Sequence, residues 1–94
     1  MKHFLLTLLL LIAPVTMYGA TGNRMANGDY PYVGAAACPR SIPLGTRIKI
    51  LDIPFLCADR TNLKYNGRYD LFSQGTKAQM LKFGKQKLEV EIIK

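Results

Sequence analysis

Thr46-Arg47-Ile48-Lys49-Ile50-Leu51-Asp52-Ile53-Pro54-Phe55-Leu56-Cys57-Ala58-Asp59 decides the fold class. Arg47 and Lys49 alternate with Ile48 and Ile50, which is the period-two pattern of a half-buried strand over Thr46 to Leu51. Asp52-Ile53-Pro54 reads as a turn, because proline drives the preceding residue to extended geometry. Phe55 to Asp59 is a second strand, apolar until its last residue. Towards the C-terminus, Arg60 to Gly67 is a polar loop closed by the turn pair Asn66-Gly67. Arg68 to Phe72 is a third strand with Asp70 at its centre. Ser73 or Thr76 caps a short helix to Phe83, and Gly84 fits its C-terminal stop. Lys85 to Lys94 is a closing strand, with Leu88, Val90 and Ile92 on one face and Glu89 and Glu91 on the other. Towards the N-terminus, Pro39 to Gly45 is a loop, Tyr30 to Ala37 a strand ending near Cys38, and Thr21 to Asp29 a polar leader or first turn. Short strands with one small helix point to an all-β barrel, since closure removes the edges that an open sheet of this size would expose.

The chain has 94 residues, 49% of them hydrophobic and none of them Trp, which excludes a disordered polymer and allows one small core. Met1 to Ala20 reads as a secretory signal. Lys2 and His3 form a basic start, Phe4 to Ala13 is apolar apart from Thr7, Pro14 breaks the run, and Gly19 and Ala20 are small. The alternative is an uncleaved anchor, but the run is short for a membrane span, which needs about 20 residues. Residues 21–94 then form a single domain, with no stable membrane span after cleavage, placed in the periplasm or secreted.

Export sets the reading of Cys38 and Cys57. Two cysteines in a small domain in an oxidising compartment pair. Closing about 20 residues stabilises a fold by roughly 3 kcal/mol in the chain-entropy model. The formal charge is +7, which draws an exported protein to anionic polymers such as cell-wall glycans. Nucleic acid is the other usual partner of such charge; the export signal and the spread of the lysines argue against it.

His3 is the only histidine and leaves with the signal. That excludes Ser-His-Asp and Cys-His mechanisms and a histidine-ligated metal, and no metal or cofactor is expected. Glu89 and Glu91 read as solvated, and Asp52 and Asp29 as turn residues. Asp59 and Asp70 remain, eleven positions apart at the edges of apolar runs. Burial of Asp70 between Tyr69 and Leu71, with a second carboxylate nearby, would keep it protonated near neutral pH, as glycosidic cleavage requires. An ion pair of Asp70 with Arg68 or Arg60 explains the same residues as structure alone.

Ile42-Pro43-Leu44-Gly45-Thr46, then Asp59 and its polar loop, then Gly67-Arg68-Tyr69-Asp70-Leu71 and Phe83-Gly84 resemble the 3D domain, named for three aspartates. This domain occurs in the membrane-bound lytic transglycosylase A family and in bacterial cell-wall proteins. Met25-Ala26-Asn27-Gly28 resembles the family's opening strand and turn, so the likeness runs from about Met25 to Ile93. It implies a small six-stranded double-psi β-barrel with one short helix, and peptidoglycan glycan strands as the partner. It also implies a transglycosylase-like cleavage of the MurNAc-GlcNAc bond, with Asp70 as acid and then base. The middle aspartate corresponds to Asp59. The first is missing, because Cys38-Pro39 stands at its place.

On this resemblance Asp59 positions Asp70 or stabilises positive charge, Tyr65 and Tyr69 stack on sugar rings, with Tyr69 equally readable as a core residue, and Arg60 holds Asp59 or a stem-peptide carboxylate. A monomer is expected. Two other readings stand beside the enzyme: a non-catalytic glycan-binding barrel, and an envelope or phage structural module.

Overall fold

The computed structural model describes residues 8–93. Six strands and one helix follow one another as β1 (Leu8–Tyr18), β2 (Ala35–Cys38), β3 (Arg47–Ile50), β4 (Ile53–Arg60), β5 (Tyr69–Phe72), α1 (Lys77–Phe83) and β6 (Gln86–Ile93). The strands close into a barrel in the order β1-β5-β2-β4-β3-β6, and β6 pairs back onto β1. The pairs β1–β5 and β2–β4 are parallel, and the other four are antiparallel. The expectation of a small, closed, six-stranded all-β barrel with one short helix is met.

Period-two alternation builds the core. Ile48 and Ile50 of β3 and Val90 and Ile92 of β6 point inward and are buried. Leu88 packs against this cluster, while Glu89 is exposed and Glu91 half-buried on the other face. The β3–β4 hairpin turns at Leu51 and Asp52, both with positive φ (53° and 63°), as a two-residue hairpin turn of the primed type requires. The turn therefore sits one residue earlier than Asp52-Ile53-Pro54 suggested, and Ile53 and Pro54 already pair with Ile50 and Lys49. Thr76 is the cap of α1: its hydroxyl accepts from the Gln79 backbone N–H, and the Gln79 side chain accepts from the Thr76 backbone N–H. Gly84 ends the helix with φ 64°.

Cys38 and Cys57 form the expected disulfide, with Cα atoms 5.7 Å apart and both residues fully buried. It ties β2 to β4 inside the core cluster.

The first strand departs from the sequence reading. The barrel was expected to begin at residue 21, but Leu8–Tyr18 is its eleven-residue opening strand. Leu11, Ala13, Val15 and Met17 face the core, with Val15 fully buried. Leu10 and Ile12 face outward and are exposed. Pro14 lies where β1 pairs with β6 but not with β5, so that its missing N–H faces no second ladder. The expected leader Met1–Ala20 overlaps this strand; its Met1–Thr7 portion lies outside the described residues, as does Lys94 of the closing segment.

Met25-Ala26-Asn27-Gly28, expected as the opening strand and turn, forms the turn alone. Asn27 Oδ1 accepts from the Asp29 N–H, and the buried Met25 side chain packs with Ala35 and Ala58. Among the described residues no helix is long and apolar enough to cross a membrane.

Candidate functional site

Ala37 of β2 is the centre of the site. It stands opposite Asp59 in the parallel ladder to β4 and opposite Asp70 in the antiparallel ladder to β5. The two carboxylates thus flank one small residue from either side. Two strand spacings put their backbones about 10 Å apart. A register shift between Ala36 and Ala37 adjusts the ladder at this point, as bulges do where a side chain must be re-aimed.

The surface over Ala37 is a depression of about 340 Å³ lined by Tyr18, Asp59, Arg60, Tyr65, Arg68 and Asp70, among others. A second depression of about 430 Å³ lies on the other side of Asp70, between β1 and α1, with Thr16, Lys77 and Met80 in its walls. Tyr18, Arg68 and Asp70 belong to both. The two depressions adjoin at these three residues, one on each side of Asp70, and together make up the candidate groove.

Asp70 is half-buried and accepts a hydrogen bond from Thr16 Oγ1 to its Oδ1 at 2.9 Å. Burial pushes its carboxyl above the usual aspartate range. The Thr16 hydrogen bond and the Arg68 charge pull it back in part, and the Asp59 charge pushes it up. The ion pair considered for Asp70 is not its principal contact. Arg68 stacks its guanidinium over the Tyr65 ring at 4.3 Å. Arg60 directs Nη1 to the carbonyl oxygens of Pro39, Arg40 and Ile42, which braces that loop. The expectation that Arg60 holds Asp59 through its side chain is corrected by these contacts, although Arg60 still lines the groove.

Asp59 Oδ1 accepts from the backbone N–H groups of Ala26 and Arg60, at 2.9 and 2.8 Å. The carboxylate anchors the Met25–Gly28 turn to the end of β4. Tyr65 ends the 3-10 turn Leu63–Tyr65 and stays exposed beside the groove, with the Arg68 guanidinium over its ring.

Tyr69 is not a site residue. It is 2% exposed and sits in the core cluster, because its side chain and that of Asp70 leave the strand on opposite faces.

Two residues of the site lie ahead of residue 21, in β1. Thr16 is the register partner of Asp70 in the parallel β1–β5 ladder. Tyr18 packs its ring edge-to-face on Phe72, centroids 5.5 Å apart, and buries a hydroxyl that has no hydrogen-bond partner among the described residues. Burial, then the charges of Asp59 and Asp70, then Tyr32 push the Tyr18 hydroxyl up to about 12, so it stays protonated and can only act as a donor or neutral acceptor at neutral pH. The signal for both was present: Thr16 and Tyr18 are polar at a spacing of two, just after an apolar run. Among the described residues no three His, Cys, Asp or Glu side chains are grouped to hold a metal ion.

No protein-family model, no curated protein and no solved structure matches this chain.

Proposed function

We propose that this chain is a peptidoglycan-acting protein of the 3D-domain type, exported with Leu8–Tyr18 retained as β1, which cleaves the MurNAc-GlcNAc bond as a lytic transglycosylase does. The observation that carries the reading is the placement of Asp70: a half-buried carboxyl with a raised pKa at the point where two depressions meet. A linear polymer laid along that groove has sugar units on both sides of the acid. The two parallel pairs within a closed six-stranded barrel agree with the double-psi wiring that the resemblance implies. The formal charge of +7 and the Cys38–Cys57 disulfide fit an anionic wall polymer in an oxidising compartment.

In this mechanism the Asp70 carboxyl gives its proton to the glycosidic oxygen as the C1–O bond breaks through an oxocarbenium-like transition state. The GlcNAc side leaves with a free hydroxyl. The resulting Asp70 carboxylate then takes the proton of the muramyl C6 hydroxyl, and O6 bonds to C1. Proton count and charge return to the start, and the product ends in a 1,6-anhydro ring. Asp59 contributes a negative charge across Ala37, but its Oδ1 is held by the turn.

One observation favours a glycan-binding barrel without catalysis: Asp59 Oδ1 accepts two backbone N–H groups, so the second carboxylate has a structural use. Sedimentation with purified sacculi separates the readings. An enzyme releases soluble muropeptides and Asp70→Asn abolishes release; a binding barrel is retained with and without the substitution and releases nothing.

A further inference from the structure

We infer that Thr16 is the positioning residue of Asp70: its hydroxyl anchors Oδ1, so that one and the same oxygen, Oδ2, gives the proton to the leaving group and takes it back from the C6 hydroxyl. The inference rests on the glycosidic reading of Asp70. It adds a residue that the three-aspartate pattern does not contain, supplied by a strand ahead of the expected domain start.

The geometry is that of the β1–β5 ladder. Thr16 and Asp70 are register partners, and their side chains leave neighbouring parallel strands on the same face, 2.9 Å apart at Oγ1 and Oδ1. Among the described residues this is the only hydrogen bond to the Asp70 carboxylate. Thr16 has a β-branched side chain, which narrows its χ1 choices and lowers the entropy cost of holding the hydroxyl in place. A hydroxyl donates to a carboxylate and, more weakly, to the carbonyl oxygen of a protonated carboxyl. The contact therefore persists in both states of Asp70, and the carboxyl does not need to turn over between the acid and base steps.

The other groups around Asp70 do not duplicate this role. Tyr18 of β1 has a buried hydroxyl without a partner. Asp59 of β4 is engaged with the backbone, and Arg68 stacks on Tyr65. Lys77 of α1 lies in the wall of the second depression. Ala37 of β2 offers only a methyl group. The Arg68 and Asp59 charges tune the carboxyl, and Thr16 alone orients it.

The test compares the wild type with Thr16→Val, which keeps the branched shape, and Thr16→Ser, which keeps the hydroxyl. The Asp70 13Cγ resonance is followed by NMR against pH. Loss of a hydrogen bond to the charged form raises the Asp70 midpoint in Thr16→Val by about one pH unit, and Thr16→Ser restores it. An unchanged midpoint in folded Thr16→Val overturns the inference.

If Thr16→Val does not fold, the wild type decides. A Thr16 hydroxyl proton that exchanges slowly with water supports the anchor, and one in fast exchange at every pH overturns it. The same proteins are assayed for muropeptide release. Thr16→Val is expected to lose 10- to 100-fold in kcat/KM, roughly one charge-assisted hydrogen bond, with its alkaline limb moved upward. Absence of release from the wild type would end the glycosidic reading, whereas the NMR titration still decides whether Thr16 holds Asp70.

Discussion

Removing residues 1–20 should unfold the barrel. The segment carries β1, with Ala13 4% and Val15 0% exposed and with Leu11 and Met17 packed on the core. Burying Val15 is worth about 2 kcal/mol, and Ala13, Leu11 and Met17 about 1 kcal/mol each in their partly or fully buried states, for a total of about 5 kcal/mol. A domain of this length has a net stability of about 5–14 kcal/mol. The cut also leaves β5 and β6 without the strand between them and takes Thr16 from Asp70. Residues 8–94 and 21–94 would be refolded under oxidising conditions and unfolded in urea, followed by far-UV circular dichroism. The longer chain is expected to unfold cooperatively, and the shorter to show no transition or one at much lower urea. A cooperative transition in 21–94 at the same midpoint would refute the assignment of Leu8–Tyr18 to the barrel.

Further outcomes follow from the same packing. Replacing both cysteines with alanine should cost about 3 kcal/mol, the value for a loop of some 20 residues, read as a lower urea midpoint; thiol labelling of the native protein before reduction should find no free cysteine. Tyr69→Ala should cost about 3–5 kcal/mol, as for other buried aromatics, while Tyr69→Phe leaves glycan retention unchanged, because the ring faces the core. The Asp70 carboxyl has a folded pKa above its unfolded value. The native state therefore holds the extra proton between the two values, and stability falls as pH rises through that window. Asp70→Asn avoids this loss: thermal melts should show it more stable than wild type at pH 7 and equal to it at pH 3.

Much of the barrel was legible because its signals are local. The Ile48/Ile50 and Val90/Ile92 alternation needs only neighbouring residues, and so do the Thr76–Gln79 cap and Gly84. The Cys38–Cys57 pair was legible from count and compartment. The first strand was not. A run of Leu and Ile is compatible with a leader and with a strand alike, and outward-facing Leu10 and Ile12 hide the period of two. Only Val15 to Tyr18 carries the alternation, too briefly to decide against the composition.

The site was half legible for a related reason. Asp59 and Asp70 stand out as carboxylates in apolar strands. Their placement across Ala37, and the meeting of Thr16 with Asp70 across 54 positions, depend on which strands pair and in what register. Tyr69 could have been set aside from the sequence, since a residue next to Asp70 in a strand faces the other way. The use of Arg60 on three loop carbonyls follows from the path of Pro39–Ile42, which no local pattern specifies.

The most direct test of the account is digestion of purified sacculi in isotopically labelled water, with wild type and Asp70→Asn, and mass spectrometry of the released ends. Intramolecular attack by the C6 hydroxyl predicts 1,6-anhydro ends without label from the wild type and no release from Asp70→Asn. Labelled reducing ends, or equal release by both proteins, would contradict Asp70 as an acid and base serving a transglycosylase.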